Sequence, residues 1–124
     1  ATAVTQVPSA LTNCLIAGWD SGDTQVQIMC NDATGTCTKV ALGTDFPANT
    51  PDAIYESTFF CAPNGDQVSW RVRRLDTGAV AQGVITTDMP SKDTMLSWHG
   101  YANNGGTAAA VVLDFYRMYL ETDY

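Results

Sequence analysis

Charged residues are scarce in this chain, and basic residues are the scarcest. Only 15% of the 124 residues are charged, and 6 Lys and Arg stand against 13 Asp and Glu, for a formal net charge of −7. An average globular domain has about 25% charged residues. Because nucleic acids and anionic membranes are bound through basic patches, we expect neither nucleic acid as a partner nor insertion into a membrane. Such a low fraction of charged residues is typical of stable oligomers, and also of β-proteins that are rich in uncharged polar residues.

Long apolar runs, paired cysteine motifs and histidines are also lacking. The longest uncharged apolar stretch, residues 108–113, is too short to cross a bilayer. With a single His and no Cys-x-x-Cys, the four cysteines do not form a zinc pattern, so we expect no metal and no cofactor. Cys30 and Cys37 are close in sequence, and the pattern leaves open whether they form a disulfide or are buried free thiols.

Short apolar or alternating runs separated by turn residues make up most of the sequence. Their spacing of about ten residues is typical of a β-sandwich or jelly roll. We therefore predict an all-β fold, an antiparallel jelly-roll-like sandwich in one domain that covers residues 1–124. The predicted strands, about eight, are residues 13–19, 24–30, 37–42, 53–61, 67–74, 79–87, 94–99 and the C-terminal segment.

Alternation within residues 24–30 predicts that Val26, Ile28 and Cys30 face the core and that Gln25 and Gln27 face solvent.

The segments between the predicted strands carry strong turn signals. Asn64-Gly65 predicts a type I′ hairpin with positive φ at both residues. Asp76-Thr77-Gly78 predicts a three-residue hairpin loop with the glycine left-handed, and Gly35 is available for positive φ in the loop after Cys30. The longest break, residues 43–52, is predicted to cross between two sheets and to place Phe46 in the core.

The C-terminal segment, residues 108–124, reads AAAVVLDFYRMYLETDY and is apolar on both faces of a strand. A helical stripe also fits it, but its Val, Phe and Tyr residues favour a pleated strand. We predict a strand covered on both sides, with Asp114 paired to an arginine. The basic residues Arg71 and Arg73 share a strand face, whereas Arg74 points to the other; solvation or ion pairs with carboxylates are expected there.

Signs of catalysis are weak. His99 is the single histidine and there is no G-x-S-x-G motif, so we predict no catalytic residue. Glu56 and Asp114 are the candidates if the chain cleaves glycans. The group Asp20, Asp23 and Asp32 lacks the spacing of a calcium loop and is more typical of turns.

Glycan binding is better supported, because sugars are held by aromatic faces together with amides or carboxylates. Two groups of such residues stand near predicted strand ends. The candidate glycan-binding residues are Trp98, Tyr101, Asn103, Asn104, Trp19 and Asp20.

Several phrases resemble the C-terminal domain of bacteriophage tail fibres and tailspikes. They are FPANT at residues 46–50, the two hairpins over residues 53–87, and the ending NNGGT…ETDY over residues 103–124. The resemblance runs from about Ser9 to Tyr124. The family's domain usually has further strands upstream, so we expect either a separate domain or the C-terminal piece of a longer fibre or spike chain.

The resemblance implies a non-catalytic domain at the tip of a homotrimeric appendage. It would hold three chains together, bind a bacterial surface polysaccharide or lipopolysaccharide, or both. Other virion tail proteins are then its partners, and it would be made in the host cytoplasm and reside in the virion. The alternatives are a capsid decoration (cement) protein and, less favoured, a glycan-cleaving domain. The candidate trimer-interface residues, for which an intramolecular core is the alternative, are Val111, Leu113, Phe115 and Tyr119.

Overall fold

The computed structural model describes residues 7–104 and 110–122 and is all-β, as predicted. Over these residues it contains one short 3-10 helix, Pro8–Ala10, and six strands rather than eight. The strands are β1 (Cys14–Gly18), β2 (Gln27–Asn31), β3 (Thr38–Ala41), β4 (Tyr55–Phe60), β5 (Val68–Arg74) and β6 (Val80–Ile85).

The six strands form two antiparallel sheets of three strands each. The first sheet has the order β1-β2-β3 and the second the order β4-β5-β6. Neighbours in sequence are therefore neighbours in space, and every connection within a sheet is a hairpin or a short loop. The predicted crossing between sheets over residues 43–52 is confirmed, since β3 and β4 belong to different sheets.

Both sheets contribute to one buried apolar cluster. Phe46, from the crossing segment, is 3% exposed and is part of this cluster, as predicted. Tyr55, at the start of β4, packs beside it with ring centroids 6.3 Å apart. The buried members of the cluster are Val26, Ile28, Cys30, Phe46, Trp70, Val72 and Ile85.

Strand β2 is buried on both faces, which the alternation did not predict. Val26, Ile28 and Cys30 face the shared core as expected. Gln27, predicted to face solvent, is buried, and so is Met29. The reason is that β2 is the central strand of its sheet and that the 3-10 helix packs against it. A polar side chain at Gln27 therefore did not mark a solvent-exposed face.

The turn between β4 and β5 differs from the predicted type I′ hairpin. Asn64 has a φ of 54°, but Gly65 is not in the positive-φ region. The Gly65 amide donates a 2.8 Å hydrogen bond to the Ala62 carbonyl. With Pro63 in the second position and positive φ in the third, this is the pattern of a type II turn. Pro63 favours this turn, because its ring holds φ near the negative value that the second position of a type II turn requires.

The other turn predictions concern Gly35 and Gly78. Both are left-handed, with φ values of 67° and 79°, as predicted. The loop closed by the bond from the Arg74 amide to the Ala79 carbonyl contains four residues, however, one more than expected.

The last two predicted strands are wrong for the single chain. Residues 94–99 have no regular secondary structure, and neither do the described residues 110–122 of the C-terminal segment. All of residues 110–122 are exposed. Their composition suits a pleat, but no neighbouring strand of the described chain supplies the hydrogen bonds that would make one.

All four cysteines are free thiols. Strand pairing places Cys30 opposite Thr38, so Cys37 is not its direct cross-strand partner. Only Cys30 is buried, whereas Cys61 is exposed. Burial raises the pKa of Cys30 to about 11, and the nearby Cys14, Cys37 and Asp88 add to this effect. Asp88 accepts a hydrogen bond from the Thr38 hydroxyl beside this thiol.

Candidate functional site

A polar corner forms where the chain leaves β1. Asp20 and Asp23 both bind the Lys39 ammonium, at 2.8 and 2.6 Å. The second oxygen of Asp20 accepts a 3.1 Å hydrogen bond from the Ser9 amide, which ties the 3-10 helix to the first sheet. Asp32, the third residue of the acidic group, lies elsewhere and accepts bonds from the amide and hydroxyl of Thr34 in the loop after β2.

The electrostatics of this corner favour its charged state. Burial acts to raise the pKa of Asp20, but hydrogen bonds from Lys39 and Ser9 outweigh it and lower the pKa below its usual value. Burial likewise acts to lower the pKa of Lys39, but the two carboxylates outweigh it and raise the pKa. The Asp20 carboxylate is therefore already engaged in holding the fold, and a sugar hydroxyl would compete with Lys39 for it.

One residue of each predicted glycan-binding group lies near the other, namely Tyr101 and Asp20. Burial raises the pKa of the Tyr101 phenol, and the nearby Asp20 and Cys14 raise it further. Tyr101 thus stands beside the corner that follows β1. His99 packs edge-on against it, with ring centroids 5.6 Å apart. Tertiary folding brings Tyr101 close to Asp20, although the two residues are about 80 positions apart in sequence.

Aromatic surface is available at this place. Trp98 is 52% exposed and Trp19 is 36% exposed. The Trp19 indole N–H donates to the side-chain oxygen of Asn49 at 3.0 Å, which fixes the ring without covering it. Asn103 is exposed and Asn104 is half-buried, and both make interactions in the same stretch as Tyr101. Trp98 stands with Tyr101 and two amides in one stretch of the chain, and Trp19 adjoins Asp20; aromatic rings, amides and a phenol are the groups that bind a sugar.

The C-terminal segment forms the largest exposed apolar stretch among the described residues. The predicted interface residues are there and exposed, but Phe115 packs edge-on against Trp98, with ring centroids 5.0 Å apart, so one side is partly covered. The even-numbered side is more open: Val112 is 78% exposed and Tyr116 is 99% exposed. The predicted interface residues are all odd-numbered, although the apolar residues on both faces of the segment also indicated the even-numbered side.

A second surface was also missed, the side of the second sheet that faces away from the core. It carries exposed Arg71 and Arg73, as the alternation predicted, and the exposed apolar residues Phe60 and Val84 on either side of Ser69. Arg74 points to the other side and binds Asp76 at 2.8 Å. Neither Arg71 nor Arg73 forms an ion pair within residues 7–104 and 110–122.

The weak catalytic candidates are not brought into a site. Glu56 is exposed on β4, opposite Arg73 in register, and Asp114 is exposed on the C-terminal segment. The predicted ion pair of Asp114 with an arginine is absent from the described part of the chain. Over the same residues, no group of three or more His, Cys, Asp or Glu side chains is placed to hold a metal ion. No helix in the described ranges has the length and apolar character needed to cross a membrane.

Comparison with known proteins adds no family or relative. No family model, no curated protein and no solved structure matches this chain.

Proposed function

We propose that this chain is a bacteriophage tail-fibre or tailspike tip domain that forms a homotrimer and binds a bacterial surface polysaccharide or lipopolysaccharide. Its two sheets would form a jelly-roll-like sandwich, and the C-terminal segment would become an ordered strand when the subunits associate. The domain would have no catalytic role.

The observation that carries this proposal is the exposure of the C-terminal segment in the single chain. Soluble monomers rarely expose a contiguous apolar stretch, and such a stretch marks an interaction site. An obligate interface between identical subunits is more apolar than ordinary surface and contains few charges. The exposed large apolar residues of the segment are Val111, Val112, Leu113, Phe115, Tyr116, Met118, Tyr119 and Leu120.

Support for glycan binding comes from the aromatic groups beside the polar corner. Trp98 and Trp19 offer apolar ring faces, and Tyr101, three residues after Trp98, lies near Asp20 of the corner. A planar ring with adjacent hydrogen-bonding groups matches the apolar face and the hydroxyls of a sugar. A glycan at this place would lie beside the proposed subunit interface, since Phe115 contacts Trp98.

The trimer is tested by the native mass in multi-angle light scattering. We expect about 40 kDa, three times the 13.3 kDa of one chain. Deletion of residues 120–124 should give monomer or aggregate. A wild-type monomer at every concentration, or a deleted chain that remains a folded trimer, would overturn the proposed role of the C-terminal segment.

Glycan binding is tested on immobilised bacterial polysaccharides and lipopolysaccharides. We expect the wild-type chain to bind at least one of them, and Trp98→Ala to lose about tenfold or more in affinity, which corresponds to about 1.4 kcal/mol. Met95→Ala is the matched control, because Met95 is 90% exposed and lies three residues upstream. Equal binding by Trp98→Ala would reject this site. Binding to phage capsids in place of glycans would favour the cement-protein alternative.

A further inference from the structure

The side of the second sheet that faces away from the core, which we call the outer face, is organised in three rows across β4, β5 and β6. Strand register sets each row, with one residue from each strand. The rows are Glu56, Arg73 and Val80; then Thr58, Arg71 and Gln82; then Phe60, Ser69 and Val84. The first row ends on an exposed valine, the second is wholly polar, and the third has two exposed apolar residues around a small serine.

The third row has a depression at its centre. Ser69 is small and half-buried, whereas Phe60 and Val84 on either side are 65% and 53% exposed. The depression has a volume of about 460 Å³ and is also lined by all three residues of the second row, Thr58, Arg71 and Gln82. A planar aromatic side chain has the shape to enter between two apolar walls of this kind.

The charge of the outer face is unusual for this protein. The chain carries a net charge of −7, yet Arg71 and Arg73 are exposed together and have no ion pair within the described residues. Arg73 is opposite Glu56 in register, but the two side chains form no salt bridge. Arg71, in the central row of the outer face, therefore carries a charge with no ion-pair partner among the described residues, with Val80 in the row on one side and Phe60 and Val84 in the row on the other.

The residues on the even-numbered side of the C-terminal segment follow an order that complements the three rows of the outer face. Val112, Asp114 and Tyr116 are apolar, acidic and aromatic in sequence, and all three are exposed. Alternate residues of an extended strand are about 6.6–6.8 Å apart, and this is also the separation of successive rows along β5. With Asp114 over Arg71, Val112 would lie over Arg73 and beside Val80 in the first row, and Tyr116 would lie over Ser69 at the depression in the third. Asp114 has no ion pair within the described residues, so its charge is available.

The structure indicates which chain supplies this segment. Within one chain, Phe115 packs against Trp98 and directly over Gly100. The adjacent Tyr101 lies near Asp20 and Cys14 of the first sheet. Tyr116 is 99% exposed and the depression is lined by residues of β4, β5 and β6 alone, so Tyr116 does not occupy the depression of its own chain. The residues that would reach the outer face therefore come from another copy.

We propose that residues 112–116 of one subunit dock on the outer face of the second sheet of a neighbouring subunit. Asp114 pairs with Arg71, and Tyr116 enters the depression between Phe60 and Val84. Each chain gives one segment and receives one, so three chains close a ring of heterologous contacts. This inference rests on the proposed trimer and specifies its interface.

The test is a charge exchange read out by native mass and dissociation constant. Arg71→Glu and Asp114→Arg, each alone, place like charges together and should weaken association by about tenfold or more. The double variant Arg71→Glu/Asp114→Arg should restore it, because the opposite charges are then exchanged. Lys92→Glu and Asp52→Arg are the matched controls, since both residues are exposed and lie outside the three rows.

Tyr116→Ala provides a second readout that does not depend on charge. We expect it to weaken the trimer by about tenfold or more, as removal of a buried aromatic anchor does. Met95→Ala removes an equally exposed apolar side chain outside the contact and should leave association unchanged.

The outcomes separate this inference from the proposed function. A wild-type trimer that Arg71→Glu, Asp114→Arg and Tyr116→Ala leave intact would overturn the docking mode while the trimer stands. A wild-type monomer would overturn both. Thermodynamic coupling of Arg71 and Asp114 within a monomer would show that the segment docks on its own chain, which also overturns the inference. Loss by each single charge variant with recovery in the double variant supports it.

Discussion

The close packing of Trp70 on Gly83 makes one substitution especially informative. The two residues are opposite each other in register on β5 and β6, and Trp70 is only 8% exposed. A Cβ added to Gly83 would lie 2.6 Å from Cζ2 and 2.9 Å from Cε2 of the indole. Ordinary contact begins near 3.4 Å, so in Gly83→Ala the ring must move by about 0.8 Å.

The magnitude follows from this geometry. Inserting an extra methyl group into a packed core costs about 1–3 kcal/mol, and alanine recovers about 0.5–1 kcal/mol of backbone entropy relative to glycine. We expect a net loss of about 1–2 kcal/mol in the free energy of unfolding. For a chain of this size that lowers Tm by about 4–8 °C.

The assay is thermal unfolding followed by circular dichroism at one protein concentration. The chain has 3 tryptophans, so Trp19→Phe and Trp98→Phe leave Trp70 as the single fluorophore to report a shift of the indole. Gly22→Ala is the matched control, because a Cβ at Gly22 meets nothing within 4 Å and its φ is not in the positive region. A Gly83→Ala protein as stable as Gly22→Ala, with unchanged Trp70 fluorescence, would refute the packing argument.

Three further outcomes can be measured on the same protein. Lys39→Met should lower the free energy of unfolding, measured by urea titration, by about 1–2 kcal/mol, because it leaves the Asp20 and Asp23 carboxylates without their shared cation. An unchanged free energy of unfolding would reject the structural role of this corner. The folded-state pKa of Asp20 is lowered, so its contribution to stability is present above the unfolded value of 3.8 and is lost as the pH falls through the lower folded value. Asp20→Asn should therefore lower the stability at pH 7 and reduce the loss of stability at acid pH. An unchanged dependence of stability on acid pH would contradict this. Cys61 is exposed, whereas the pKa of buried Cys30 is raised to about 11. A thiol reagent at pH 8 should therefore modify Cys61 rapidly and Cys30 only after unfolding. Loss of the fast labelling phase in Cys61→Ser identifies that phase, and rapid labelling of Cys30 in the native chain would count against its burial.

Local sequence patterns were sufficient for the first six strands. Alternation in residues 24–30 places Val26, Ile28 and Cys30 in the core, and the left-handed Gly35 and Gly78 stand where turn chemistry requires them. These features depend on residues within a few positions of one another. For the same reason, the Pro63-Asn64 pair at the centre of the type II turn is visible in the sequence, although Asn64-Gly65 pointed to a type I′ turn.

Features that depend on distant partners were decided only by tertiary structure. Gln27 is buried because β2 is central and covered by the 3-10 helix, which no local pattern records. The C-terminal segment has the composition of a strand, yet residues 110–122 find no pairing partner in the described chain and stay exposed. Of the candidate site, the sequence supplied the residue types, and folding brought Tyr101 to Asp20. Composition determines which segments are able to form a strand, whereas the backbone hydrogen bonds and burial that stabilise it come from chain segments far away in sequence.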